Sequence, residues 1–473
     1  MRRVRRFLHS PLPLGEGLGV GARHRRLSPL RCACYKEEVV SVEGNIAMSQ
    51  SPTAPTIDQL PELIAALPER ERELADRLLR VVVVEGQTSP PPEMELWIVR
   101  TFGSVEAVLN QRIVRVTNRW TFEGATFNAL RSRRPGAGAA SSDPPYQAEL
   151  DERIEQTRGD DFCQPEQRTT ADTFGRVRGE RMLTASNVAK ADGWHGVAIF
   201  DEHNPLAIDA GLVADLFAVA PRWAARARET DPAARHLFTL WNCLWRAGAS
   251  QIHGHAQMTL SRGMAHARVE AQRTAAARYR AAYGATGGDY FADLAAVHTA
   301  LGLGLAPDGA QGIDSGVAVV GANGEDAASG ARGDATQGFA SLTPVKEREV
   351  ILLAPGAQPD DLGALAAPLW RTLDVALHQL GVRSFDVVAY GPPLGAPDAS
   401  DPADANSDAD WADFPLVARF VDRGAPLSPT PGAATPFGVT PTSDIGALEL
   451  YGSSVIASDP FDVARALRGE TLG

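Results

Sequence analysis

The stretch Gly248-Ala-Ser-Gln-Ile-His253-Gly-His255-Ala-Gln257-Met-Thr-Leu260 decides how this chain is read. In an extended segment positions 253, 255 and 257 alternate, so a strand over residues 251–260 projects two imidazoles and an amide from one face. The small residues ahead of them, Gly248, Ala249 and Ser250, let backbone come close to an anionic group, and Ser250 adds a hydroxyl donor. The setting suits phosphate.

Outward from this strand, residues 181–200 read as two strand-like runs, 204–228 as a helix interrupted at Pro221, and 236–244 as a strand. Residues 307–337 are Gly, Ala, Asp and Ser with little apolar content, which predicts a flexible insertion. Behind the insertion the order of elements recurs. A strand at 196–200, His203-Asn-Pro, an amphipathic helix, and strands at 237–243 and 253–260 make the first copy. A strand at 349–354, Gly356-Ala-Gln-Pro359, a helix at 361–380, and strands at 385–390 and 414–421 make the second. Only the first copy keeps histidines in its last strand, which assigns the chemistry to it. Farther upstream, 113–118 and 120–130 read as strands that run into Arg131-Ser-Arg133-Arg134-Pro135, 146–156 reads as a helix, and 56–84 is helical in pattern with a break at Pro68.

Composition bounds the alternatives. The chain has 473 residues, 44% hydrophobic and 22% charged, which is globular and long enough for a duplicated unit. Apolar runs such as 81–84 stay far short of the roughly 18 to 20 residues of a bilayer-spanning helix. A net charge of −12 argues against a nucleic-acid-coating surface and leaves room for a local pocket that takes one nucleotide. Four scattered cysteines, Cys32, Cys34, Cys163 and Cys243, make no disulfide framework and fit a reducing compartment, the cytoplasm by default. Residues 1–47 carry nine Lys/Arg against Glu16, Glu37, Glu38 and Glu43, and read as a disordered basic tail or as a mis-called start ahead of Met48. Pro11, Pro13, Gly15 and Glu16 interrupt what would be the apolar core of a secretory signal. The expected organisation is then a helical extension over 48–110, a first repeat over 111–306, the insertion, and a degenerate second repeat over 338–473.

On these residues the chain resembles the histidine triad superfamily, and within it the galactose-1-phosphate uridylyltransferase branch, which carries His-x-His-x-Gln. The hydrolase branch typically has a third histidine where Gln257 stands. Asn242 and Ser250, eight residues apart, are similar to a family pair that contacts nucleotide phosphates, and Arg131 to Pro135 resembles the family's Arg-Ala-Lys-Arg-Pro element. The similarity spans residues 112–261 and, more loosely, 339–468. It implies an α+β fold of two histidine-triad-like (HIT-like) repeats, antiparallel sheets backed by helices, forming an internal pseudo-dimer behind a helical N-terminal extension. It also implies a nucleotidyltransferase of the kind found in galactose metabolism. Such an enzyme passes a nucleoside monophosphate from a nucleotide sugar to a sugar 1-phosphate through a covalent nucleotidyl-His255. Gln257, Ser250, Asn242, Arg131 and Arg134 would meet the phosphoryl oxygens. Asn187, Lys190 and His195 lie in the region that approaches base and ribose in related proteins, with Lys190 expected to face water.

The same resemblance implies a structural zinc. Asp160-Asp-Phe-Cys163 stands where the branch has Cys-x-x-Cys, so Asp160, Cys163, His203 and His253 form a mixed tetrahedral set in which a carboxylate replaces one thiolate. Residues 414–420 lack a His-x-His pair, and no second metal is expected. Cys243 reads as a buried strand residue, and Trp241 and Trp245 could pack a base or the core equally well, so no role is assigned to them. The hexose-recognising residues are not recognisable in Thr442-Ser-Asp-Ile-Gly-Ala-Leu, which leaves the sugar open. Alternatives are an adenylyl-transferring enzyme like diadenosine tetraphosphate phosphorylase, acting on a dinucleoside polyphosphate, and a non-catalytic nucleotide-binding homologue. No nucleic-acid or membrane partner is expected, and a homodimer is compatible with the resemblance.

Overall fold

The computed structural model describes residues 54–133, 144–305, 336–396, 411–426 and 453–470. Residues 1–47, most of the 307–337 insertion, Arg134 and the 442–448 segment therefore lie outside the described residues. Among the described residues two sheets form. The larger has eight strands: β4 (Met182–Ser186), β5 (Trp194–Phe200), β6 (Ala234–Cys243), β7 (His255–Arg262), β8 (Gln337–Ala340), β9 (Glu347–Ala354), β10 (Phe385–Tyr390) and β11 (Leu416–Asp422). The smaller holds β1 (Leu79–Gln87), β2 (Asn110–Asn118), β3 (Gly124–Phe127) and β12 (Ser453–Ile456).

The larger sheet is antiparallel throughout, in the order β4-β5-β7-β6-β10-β11-β9-β8. Counted inward from either edge the sequence of roles is the same, so β4, β5, β7 and β6 correspond to β8, β9, β11 and β10. A helix bridges the second and third strand of each half, Ala210–Thr230 in the first and Ala366–His378 in the second. This is the expected α+β duplication. The halves join where β6 pairs β10, from Phe385 opposite Cys243 to Tyr390 opposite Phe238.

Helix Ala210–Thr230 starts at Asp209, whose side chain accepts from the Leu212 amide, and buries Leu212, Leu216, Val219, Trp223 and Ala227. It runs unbroken through Pro221, where an interruption was expected. A proline costs a helix about 3 kcal/mol, and the burial of this stripe, at roughly 1.5 to 3 kcal/mol per large apolar side chain, outweighs it. Gly196 on β5 allows the close approach: a Cβ there would lie 2.6 Å from the Trp223 ring. Because Gly196 opposes Met258, the helix covers the face of Ala256, Met258 and Leu260 and leaves His255 and Gln257 on the other face.

Two other expectations need correction. Helical pattern was read through residue 84, but the helix Glu69–Leu78 stops at Leu78 and β1 begins at once, pairing β2 from Leu79 opposite Asn118 to Gln87 opposite Asn110. The four valines at 81–84 are stiff at χ1 and favour the pleated sheet, so the extension is not wholly helical. The strand expected over 120–130 is only Gly124–Phe127, because Asn118 Oδ1 accepts from the Trp120 and Thr121 amides and holds a turn. Among the described residues no helix is long and apolar enough to cross a membrane.

Candidate active site and metal centre

The strand carrying the motif starts at His255, four residues later than expected. His253 therefore sits in the irregular segment before β7, and its ring and that of His255 both stand edge-on to Phe162 (centroids 6.0 and 5.3 Å apart). Gly254 between them allows a close approach of the backbone to Phe200 and Glu202. Its amide donates to His203 O (3.1 Å), its carbonyl accepts from the Phe200 amide (2.9 Å), and a Cβ would lie 2.8 Å from the Phe200 ring.

The His253 ring meets His203, Cys163 and Asp160, and the candidate ligand atoms of the four lie within 4.8 Å of one another. His203 Nε2–H donates to Ile154 O (3.0 Å) and His253 Nε2–H donates to Phe200 O (2.8 Å). Those two bonds assign the tautomers and leave both Nδ1 atoms as lone pairs. The two Nδ1 atoms face each other at 3.1 Å, with Cys163 Sγ at 3.4 and 3.5 Å from them. Two lone pairs so close repel unless a cation lies between them. Asp160 points the same way: its Oδ1 accepts from the Phe162 and Cys163 amides (3.0 and 3.1 Å), while its Oδ2 is buried with no partner. An orphaned carboxylate oxygen, two imidazole lone pairs and a thiol are a donor set that can hold a metal ion. Burial raises the Cys163 thiol, and a bound cation reverses that by taking the thiolate.

His255 is 7% exposed. Its Nδ1–H donates to His253 O (2.8 Å), so Nε2 carries the lone pair. Burial holds the ring below the usual histidine range, and it is neutral at pH 7. Nε2 has no partner among the described residues and is not sealed from solvent. Phe162, between the metal-site residues Asp160 and Cys163, packs on Ala185, Val197 and Ile199 and sets its ring edge-on to His255, centroids 5.3 Å apart. Sequence reading passed over this phenylalanine, although its place inside Asp160-Asp-Phe-Cys163 was a usable signal.

Gln257, next on the same face, accepts at Oε1 from His195 Nε2–H (2.7 Å) and from Asn187 Nδ2–H (3.3 Å). Lys190 is not simply solvated: Nζ donates to Ser186 Oγ (2.6 Å). Asn242 is the last residue but one of β6, and the chain folds back at once through Leu244 (φ +65°) and Gly248 (φ +93°), with the Ala249 amide returning to Leu244 O and Ser250 exposed just beyond. Trp245 Nε1 ties that turn to Pro426 O in the second half (2.7 Å). Cys243 is buried, as expected, and so is Trp241. Arg131 is half-buried in the turn Ala129–Arg133 behind β3, on the smaller sheet. The structure thus gathers Asp160, Cys163, His203 and His253 at one point and Gln257 with Asn187 at another, with His255 between.

Fold and site define a class: a duplicated antiparallel α+β protein in which a buried histidine, its Nε2 without a partner among the described residues, abuts a His/Cys/Asp cluster that could hold a metal ion. No family model matches the chain, and no curated protein matches it. Among solved structures it is similar to an ADP-glucose phosphorylase from Arabidopsis thaliana with bound ADP-glucose, at 13% identity and a TM-score of 0.48, covering 75% of this chain and 98% of that one. It is similar to a GalT-like protein from Arabidopsis thaliana at 15% identity and a TM-score of 0.45, covering 67% and 93%. Yeast Ap4A phosphorylase in complex with Ap4A follows at 12% identity and a TM-score of 0.29, covering 76% and 88%.

Proposed function

We propose that the protein is a nucleotidyltransferase working by double displacement through His255, most simply between a nucleotide sugar and a sugar 1-phosphate. One observation carries the reading: the His255 Nδ1–H is committed to the His253 carbonyl, and its Nε2 has no partner among the described residues. In the first step Nε2 bonds to the α-phosphorus of the nucleotide sugar and the bond to the leaving sugar 1-phosphate breaks. The nucleotidylated ring keeps its Nδ1–H and gains positive charge, which the His253 carbonyl at 2.8 Å offsets. A phosphate oxygen of the acceptor then attacks the same phosphorus, and the electron pair returns to Nε2. Gln257, Ser250, Asn242, Arg131 and Arg134 are the proposed donors to the phosphoryl oxygens. Each prealigned donor contributes about 10² to 10³ in rate.

Asp160, Cys163, His203 and His253 would hold zinc, matched by their mixed N, S and O donors. Bound there, zinc supplies rigidity rather than Lewis acidity. His253 is both ligand and the owner of the carbonyl that orients His255, so a fixed His253 fixes the nucleophile.

Label exchange tests the proposal. With radiolabelled UDP-glucose and glucose 1-phosphate, His255→Gly abolishes exchange while nucleotide binding survives, and full exchange by that variant overturns the assignment. Parallel incubation with labelled diadenosine tetraphosphate reads the base: label stays on the protein from one donor, and retention from the dinucleotide alone makes the enzyme an adenylyl transferase.

A further inference from the structure

The hydrogen bonds behind Gln257 form a chain with a fixed direction. His195, 5% exposed on β5, accepts at Nδ1 from the Ala191 amide (3.0 Å). A backbone N–H can only donate, so the proton of this neutral ring sits on Nε2, which points at Gln257 Oε1 at 2.7 Å. Asn187 is oriented in the same manner. Its Oδ1 accepts from the Ala189 amide (3.1 Å), which leaves Nδ2–H for the same Gln257 oxygen at 3.3 Å. Two donors, each assigned by a backbone amide, thus converge on one carboxamide oxygen. Flipping Gln257 would set its NH2 against both of them. Its amide nitrogen has no partner among the described residues and is the group left for a ligand on the face of His255.

We propose that His195 is a positioning residue for nucleotidyl transfer, holding Gln257 in the rotamer that presents only N–H donors to the transferring phosphoryl group. The inference rests on His255 being the nucleophile. A glutamine free to flip would offer a carbonyl oxygen to an anion for part of its time and would pay reorganisation in every turnover. The locked one meets the developing charge already aligned. The lock begins in the turn 187–193, which Asp192 fastens to β7 by accepting from Ser261 Oγ (2.5 Å). His195 thus acts only through Gln257.

The test is single-turnover formation of nucleotidyl-enzyme from labelled UDP-glucose. His195→Phe removes the donor and keeps the ring. It slows formation by about 10- to 100-fold, with nucleotide Kd within about threefold of wild type. His195→Gln, whose amide can accept from Ala191 and donate to Gln257, recovers most of the rate and covers the case in which the phenylalanine variant misfolds. In a Gln257→Ala background His195→Phe costs less than about twofold, because the group it positions is gone. Wild-type rate in His195→Phe, no recovery by His195→Gln, or an undiminished loss in the Gln257→Ala background overturns the inference. Absence of labelled protein in the wild type sinks the nucleophile assignment instead, so the two failures are distinguishable.

Discussion

His253 serves two neighbours with different parts of itself. Its ring joins His203, Cys163 and Asp160, and its carbonyl takes the Nδ1 proton of His255. A two-residue spacing in sequence therefore links the candidate metal cluster to the proposed nucleophile through one peptide unit. Alternation made His255 and Gln257 legible as one face. The later start of the strand was not legible, because the segment before it is set by Gly254 closing against Phe200 and Glu202, a contact between segments about fifty residues apart. Asp160 was legible only as a substituted ligand. In the structure its Oδ1 caps the Asp161–Cys163 turn and lies 3.5 Å from His253 Nδ1, while its Oδ2 is buried without a partner. Zinc titration against a chromophoric chelator checks this: the wild-type chain takes one equivalent, Asp160→Ala binds about tenfold or more weakly, and Asp160→Cys binds at least as tightly as wild type. Equal affinity in wild type and Asp160→Ala removes the carboxylate from the ligand set.

At the scale of elements, helix Tyr290–Ala300 meets the second half through His298. The ring stacks on Phe339 of β8, donates from Nδ1–H to Leu294 O (2.8 Å), and accepts at Nε2 from the Leu342 amide (3.2 Å). The bond from the Leu342 amide requires the neutral ring, and burial lowers its pKa from 6.5 to about 4. A histidine depressed in the folded state leaves stability intact above its unfolded pKa and withdraws it as pH falls between the two values, here by about 3 kcal/mol. Urea unfolding of wild type and His298→Gln across pH 4 to 7 reads the difference. The advantage of wild type over variant shrinks by about that amount on acidification, and a pH-independent difference refutes the role. Periodicity found most helices and strands. It misread residues 79–84 and Pro221, because neighbouring β2 and a buried helix face decide those two stretches and local preference does not.

Across the whole molecule, the recurring order of elements was readable before any coordinates because each half needs the same strand, helix, strand, strand run to cover one face of its sheet. What each half does with the opposite face was not readable. The first half keeps His255, Gln257 and the metal cluster there. The second buries Arg419 of β11 between Glu349 of β9 and Glu123, the residue just before β3 (2.8 and 3.2 Å), so that the position is neutralised from within. The β6 and β10 pairing and the Trp245 bond to Pro426 make the turn before Ser250 depend on both halves. All of this supports one chemical event at one nitrogen. Alkaline-quenched mass spectrometry of the protein after brief exposure to UDP-glucose or diadenosine tetraphosphate observes that event directly, since a phosphoramidate survives base and is lost in acid. The expected result is one nucleoside monophosphate on the peptide that contains His255, removed by adding a phosphate acceptor. An adduct on another residue, or none from either nucleotide, contradicts the account.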